Sequence, residues 1–153
     1  MAQKMIIPQS DKYLTMIRLG CHNLFSYVFN TYDEADYFLD KLTCHEKYVE
    51  VYFIIESNED DGDVEVNVIK VSYPNLHLLA ETFRKNAENK LSISNGLVKI
   101  GNKFLHTLVL NNDFFRFANI YQFNGSENIE FLNGNKLDNR LANIRVIRNV
   151  LPR

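Results

Sequence analysis

The chain has only two cysteines, Cys21 and Cys44, and neither belongs to a CxxC pair or a Cys/His cluster. That spacing offers neither a structural zinc site nor a disulfide framework, so a reducing, intracellular setting (cytoplasmic or nuclear) is the expectation. Also lacking is any run near the roughly 18 to 20 apolar residues that a membrane-spanning helix needs. The longest, Val51-Tyr52-Phe53-Ile54-Ile55, is strand-sized. Residues 1–8 carry a short apolar patch without an h-region of about 7 to 15 residues, so no secretory signal is expected. There is no Gly-rich phosphate loop. His22, His45 and His77 have no spacing that suggests shared ligation, and no Ser/His/Asp or Cys/His nucleophilic arrangement can be argued from these positions.

What is present suits a buried interior: 153 residues, 46% hydrophobic and 12% aromatic, enough for one domain or two small lobes. Asparagine makes up about an eighth of the chain, and Ile, Phe and Lys are plentiful. Their codons are AT-rich, which hints at a source such as a large DNA virus. The formal charge of −2 argues against a generic DNA-coating protein, but the distribution is uneven. Residues 1–90 hold 9 Lys+Arg against 15 Asp+Glu, a net of −6, whereas residues 91–153 hold 8 against 4, a net of +4. A polyanion would be steered to the second part and repelled by the first.

Periodicity places strands at 12–18 and 23–29, both rich in Tyr, Ile, Leu, Val and Phe. Thr31-Tyr32-Asp33-Glu34 has the form of a capping box, and Ala35, Tyr37, Phe38 and Leu42 continue a helical stripe over 32–43. Two β-rich runs, 47–56 and 64–72, flank the acidic segment Asn58–Asp63. That segment reads as a solvated hairpin loop. A calcium loop fails, because setting Gly62 at the sixth position puts Val68 where a bidentate Glu is needed. Leu76, Leu79, Ala80 and Phe83 predict a second helix over 75–88. The fold class is therefore α+β, with an acidic ββαββα-like lobe over 1–90 and a basic module over 91–153.

In the second part, 91–100 and 103–110 read as strands around turns at Asn95-Gly96 and Gly101-Asn102. Phe114, Phe115, Phe117 and Ile120 suggest a short buried helical segment. A strand at 129–132, a polar turn, a short helix and a strand at 144–151 complete the chain.

The run Ile129-Glu130-Phe131-Leu132-Asn133-Gly134-Asn135-Lys136-Leu137-Asp138-Asn139-Arg140-Leu141-Ala142-Asn143-Ile144-Arg145-Val146 matches an N-G-N-K-x-D-N-R-x-x-N-L-R-V pattern at nearly every position, and Phe104-Leu105-His106-Thr107-Leu108-Val109 matches an L-H-R-L-V segment with Thr107 in place of Arg. Over residues 93–150 the chain resembles the HNH (His-Me finger) homing endonucleases of phages, viruses and mobile introns. The resemblance implies a hairpin and short helix clasping one divalent metal, a general base that activates water, and a metal that stabilises phosphorane charge. It also implies that Asn139 caps the short helix.

The departure lies at the catalytic pair. Where that family carries paired His or Asp-His, this chain carries Glu130 and Phe131. Glu130 can still ligate a hard metal, with Asn143 as a second candidate ligand. Phe131 takes no proton at any pH, and loss of a general base costs about 100- to 10,000-fold in rate. His106 is the one weak substitute, alongside Glu130. The leading expectation is a degenerate HNH-like module that binds DNA or RNA without cutting it. Asn133, Asn135, Lys136, Asn139, Arg140, Asn143, Arg145 and Arg148 are its candidate contacts to phosphates and base edges. Each asparagine has a structural alternative, as does Arg140 paired to Asp138. No cofactor is expected unless nuclease activity survives, in which case Mg²⁺ or another divalent metal is. Two other readings stand beside it: a scaffold co-opted for protein contact through the acidic first part, and a metal-dependent nuclease with a non-standard base.

Overall fold

The computed structural model describes residues 2–56, 64–115, 123–126 and 128–147, and among them the chain is α+β, with eleven strands and three α-helices. No helix among these residues is long and apolar enough to cross a membrane. The chain divides into two units, Met1–Glu88 and Asn89–Arg153.

In the first unit, β1 (Ala2–Gln9), β2 (Lys12–Leu19) and β3 (His22–Phe29) form an antiparallel meander. Its register runs from Ala2↔Leu19 and Tyr13↔Phe29, with one irregularity at Ile17/Arg18. The alternation of strand side chains turns Ile17, Phe25 and Phe29 inward, where they are buried. Over them lies α1 (Tyr32–Asp40), whose fully buried Phe38 sits with its ring centroid 5.5 Å from Phe29 and 6.0 Å from Phe25. Burying one such ring is worth about 1.5–3 kcal/mol.

The start of α1 follows the capping-box expectation. Thr31 Oγ1 accepts the Glu34 amide at 3.2 Å, and Glu34 Oε1 accepts the Thr31 amide at 3.2 Å. Glu34 does more than cap: its Oε2 accepts the Lys85 amide at 2.6 Å. Burial by itself would raise this carboxyl. The bonds from Lys85 and Thr31, with the nearby Arg84 charge, outweigh burial and hold it below the ordinary carboxylate value.

A second antiparallel sheet is built from β4 (Leu42–Cys44), β5 (Tyr48–Glu56) and β6 (Val64–Ser72), and it buries Val49, Val51, Ile69 and Val71. Two strands here were not expected. β1 is punctuated by Pro8 and polar Gln3, Lys4 and Gln9, and it forms because an edge strand needs hydrogen bonds on one side only. β4 takes residues the helical stripe had claimed. Leu42 pairs with Val51 and is buried there, and Lys4 Nζ from β1 donates to the Leu39 and Leu42 carbonyls at 2.9 and 3.0 Å where the helix stops.

The expected helix over 75–88 is also shorter. A 3-10 turn at Tyr73–Asn75 leads into α2 (Leu76–Ala80), and a second 3-10 turn spans Glu81–Phe83. Arg84 is extended, with Nε donating to the Tyr27 hydroxyl at 2.8 Å and Nη2 to the Val28 carbonyl at 2.6 Å. Tertiary bonds win over helical continuation.

In the second unit, β7 (Leu91–Ser94), β8 (Leu97–Ile100) and β9 (Lys103–Phe104) make a small antiparallel sheet. The strand expected over 103–110 ends after two residues, and α3 (Leu105–Phe115) takes its place. The segment Leu-His-Thr-Leu-Val-Leu has strand-like composition, yet Leu105 and Val109 are fully buried four residues apart, a helical spacing. Phe117 and Ile120 lie outside the described residues, as does the whole acidic segment Asn58–Asp63. β10 (Asn128–Phe131) pairs antiparallel with β11 (Ile144–Ile147), and the short helix between them is one 3-10 turn, Leu141–Asn143.

Replacing Glu34 by Ala should remove both the capping box and the partner of the Lys85 amide. A loss of about 2–3 kcal/mol is expected. Urea unfolding at neutral pH reads it as a lowered midpoint with unchanged slope.

Candidate nucleic-acid interface

The segment between β10 and β11 is polar, and its asparagines hold its backbone. The Asn133 amide donates to Asn143 Oδ1 at 2.9 Å, and Asn143 Nδ2 donates to the Asp138 carbonyl at 2.9 Å. Asn133 Oδ1 accepts the Asn135 amide at 2.9 Å, and Asn135 Oδ1 accepts the Leu137 amide at 3.0 Å. These two Asx-type bonds let side chains stand in for backbone partners. Gly134, at φ +77°, closes the turn with its amide on the Phe131 carbonyl at 2.9 Å. Asn139 is buried and donates to the Lys136 carbonyl at 3.4 Å, whereas the residue that begins the 3-10 turn is Arg140, without a side-chain cap. Asn139 therefore braces the loop and does not cap the turn.

At the centre is Asp138, whose side chain is fully buried. Its two oxygens take the Arg140 guanidinium in a fork, Nε at 2.8 Å and Nη2 at 2.7 Å, and Asn133 Nδ2 donates at 2.9 Å. Burial pushes this carboxyl up. The Arg140 side chain, the Arg140 amide and Asn133 together push it further down, so it ends below the usual aspartate value.

The hydrogen bonds divide the expected contact residues into two groups. Asn133, Asn139, Asn143 and Arg140 are committed to the loop, and Asn135 gives its carbonyl oxygen to it. Lys136 and Arg145 are exposed. Lys136 reaches over the β7–β8 turn, its Cδ 3.4 Å from where a Cβ on Gly96 would stand. Arg145 faces Glu130 at 3.2 Å in a solvent-exposed pair of little net worth, easily exchanged for a phosphate. Arg148 lies outside the described residues.

The two catalytic candidates are not brought together. Successive residues of a strand face opposite ways, so Glu130 turns to solvent beside Arg145 while Phe131 turns to α3. There the Phe131 ring meets His106 edge-on, centroids 5.9 Å apart. His106 is buried in the first turn of α3 and stacks on Phe104 at 5.1 Å. The metal candidates fit a hard cation poorly. Glu130 is paired with Arg145 at the solvent face, and both ends of the Asn143 amide are bonded within the loop. Among the described residues no three of His, Cys, Asp and Glu are placed to share a metal.

One feature was invisible in the sequence. A groove of about 460 Å³ is lined by Lys103, Phe104, Thr107, Asn111 and Phe123, among others. The Asn111 side chain, part of its lining, pairs with both backbone groups of Phe123, at 2.9 and 2.7 Å. Lys103 to Asn111 lie on one continuous stretch, and what no spacing rule supplies is Phe123, which folding brings against them. The Lys99 ammonium lies 5.3 Å from the Phe104 ring centre, an approach that only the β8–β9 pairing creates. No protein-family model, no curated protein and no solved structure matches this chain.

Asp138→Ala should strand Arg140 and Asn133 and cost about 2–3 kcal/mol, below the figure for fully buried pairs because Arg140 is partly exposed. Since the folded carboxyl is depressed, its contribution is present above the ordinary aspartate range and fades as pH falls through the lower folded value. Thermal melts from neutral to acidic pH should show the wild-type advantage over Asp138→Ala shrinking toward the acid end.

Proposed function

We propose that residues 91–153 form an HNH-like module that binds DNA or RNA inside a cell and does not cut it, in a protein whose acidic first unit has a separate role. The observation that carries this reading is the placement of Phe131. At the position the resembling enzymes give to a general base, a hydrocarbon ring is packed against His106, while Lys136 on the loop held by Asp138 and Arg145 on β11 remain exposed. Retention of cations with loss of a proton acceptor favours binding over hydrolysis. The net charge of +4 over residues 91–153 adds a long-range pull on a polyanion.

A second reading, contact with a basic protein partner, is favoured by the net −6 of residues 1–90. The two separate in a gel-shift titration against DNA and RNA at low salt, where absence of any shift supports the protein-contact reading.

For the binding reading, Lys136→Ala with Arg145→Ala should weaken retention about tenfold or more and flatten the salt dependence by about two counterions. Unchanged retention rejects it. Plasmid incubated with the protein and Mg²⁺ or Mn²⁺ should stay intact. Cleavage that disappears in both Glu130→Ala and His106→Ala would establish a nuclease instead.

A further inference from the structure

Asparagine followed by glycine is chemically unstable, because the unhindered glycine nitrogen can attack the asparagine side-chain carbonyl. The chain has three such pairs, Asn95-Gly96, Asn124-Gly125 and Asn133-Gly134, and the fold treats them differently. At Asn133 both reactants are occupied. The side-chain amide holds Asn135 and Asp138, and the attacking nitrogen of Gly134 donates to the Phe131 carbonyl. At Asn124 the side-chain oxygen accepts from the Ser126 amide at 2.9 Å and its hydroxyl at 2.6 Å. Asn95 and Gly96 form the exposed two-residue turn between β7 and β8, at φ +54° and +79°, closed by the Ser94↔Leu97 pair. Their side-chain amide and glycine nitrogen have no hydrogen-bond partner among the described residues.

We propose that Asn95, at the tip of the β7–β8 hairpin, is a self-modifying site that converts to aspartate or isoaspartate while Asn124 and Asn133 are protected by the fold. The Gly96 nitrogen loses its proton and bonds to the Asn95 side-chain carbon. The side-chain nitrogen leaves as ammonia, and a five-membered imide remains. Water then opens the imide at either carbonyl, giving aspartate or its backbone-extended isomer. No oxidant or reductant takes part. The new carboxylate stands in the turn that the Lys136 side chain reaches, its Nζ 4.0 Å from where a Cβ on the adjacent Gly96 would stand. This second step rests on the proposed binding role: modification would offset one of the two exposed cations assigned to nucleic acid.

The test is peptide mapping by mass spectrometry of the full chain, aged at mildly alkaline pH, with a parallel sample in urea. In the native sample, Asn95 should lose its amide about tenfold faster than Asn133, the factor one ordinary hydrogen bond supplies, with Asn124 between them. In urea the three rates should converge. Asn124 or Asn133 reacting as fast as Asn95 in the native protein overturns the proposal, as does a slow Asn133 in urea, which would place the protection outside the fold. The charge consequence is read separately with Asn95→Asp, expected to weaken DNA retention about fivefold at low salt. Wild-type retention by that variant, with the rate order intact, overturns the interface and leaves the modification standing.

Discussion

A carboxylate buried without any solvent exposure governs the second unit. Removing Asp138 from water is costly, and the cost is met only if both oxygens are filled by good donors. Arg140 supplies a planar fork from two residues away, and Asn133 reaches across the turn. The remaining asparagines complete the consequence. Asn143 bonds the backbone at both Asn133 and Asp138, so the turn after β10 and the 3-10 segment before β11 become one rigid piece. The position of Lys136 between Asn135 and Leu137 follows, because both neighbours are tied down by the same Asx-type bonds.

Rigidity of the loop sharpens the meaning of the strand beside it. β10 has a fixed register against β11, Glu130 opposite Arg145 and Phe131 opposite Ile144. With period-two alternation, an acidic ligand and a base at adjacent positions cannot face one pocket from a flat strand unless the chain bends between them. Here no bend intervenes, and the two residues serve different surfaces. Glu130 balances charge at the solvent face, and Phe131 joins an aromatic stack with His106 and Phe104. A histidine flanked by two rings serves packing as readily as chemistry.

Local signals were readable wherever local bonds decide. The Thr31/Glu34 box and the turns at Gly20 and at Asn95-Gly96 are all set by neighbours a few residues away. Expectations failed where distant partners decide. Lys4 closes the end of α1 from β1, Arg84 leaves the helical path to reach Tyr27 and Val28, and Leu105–Leu110 form a helix buried on nearly every side, with no amphipathic stripe to read. The candidate site divides in the same way. The sequence marked the asparagines and cations of 133–145 as a group, but amide side chains serve backbone and ligand equally well, and only their partners reveal which. The groove near Phe104 left no trace, since folding alone brings Phe123 to the 102–111 stretch.

The division of labour within that loop has an energetic consequence for any polyanion it meets. A disordered basic tail loses side-chain and backbone freedom when it binds, and that loss subtracts from the attraction of each phosphate. In this loop the backbone around Lys136 is already fixed by bonds that exist without a ligand, so little beyond the lysine's own rotamers remains to be ordered. Arg145 sits on a paired strand and is equally anchored. Two pre-positioned cations can therefore contribute more per charge than a longer flexible run. That suits a chain whose overall charge is −2 and whose positive residues are concentrated in its second part.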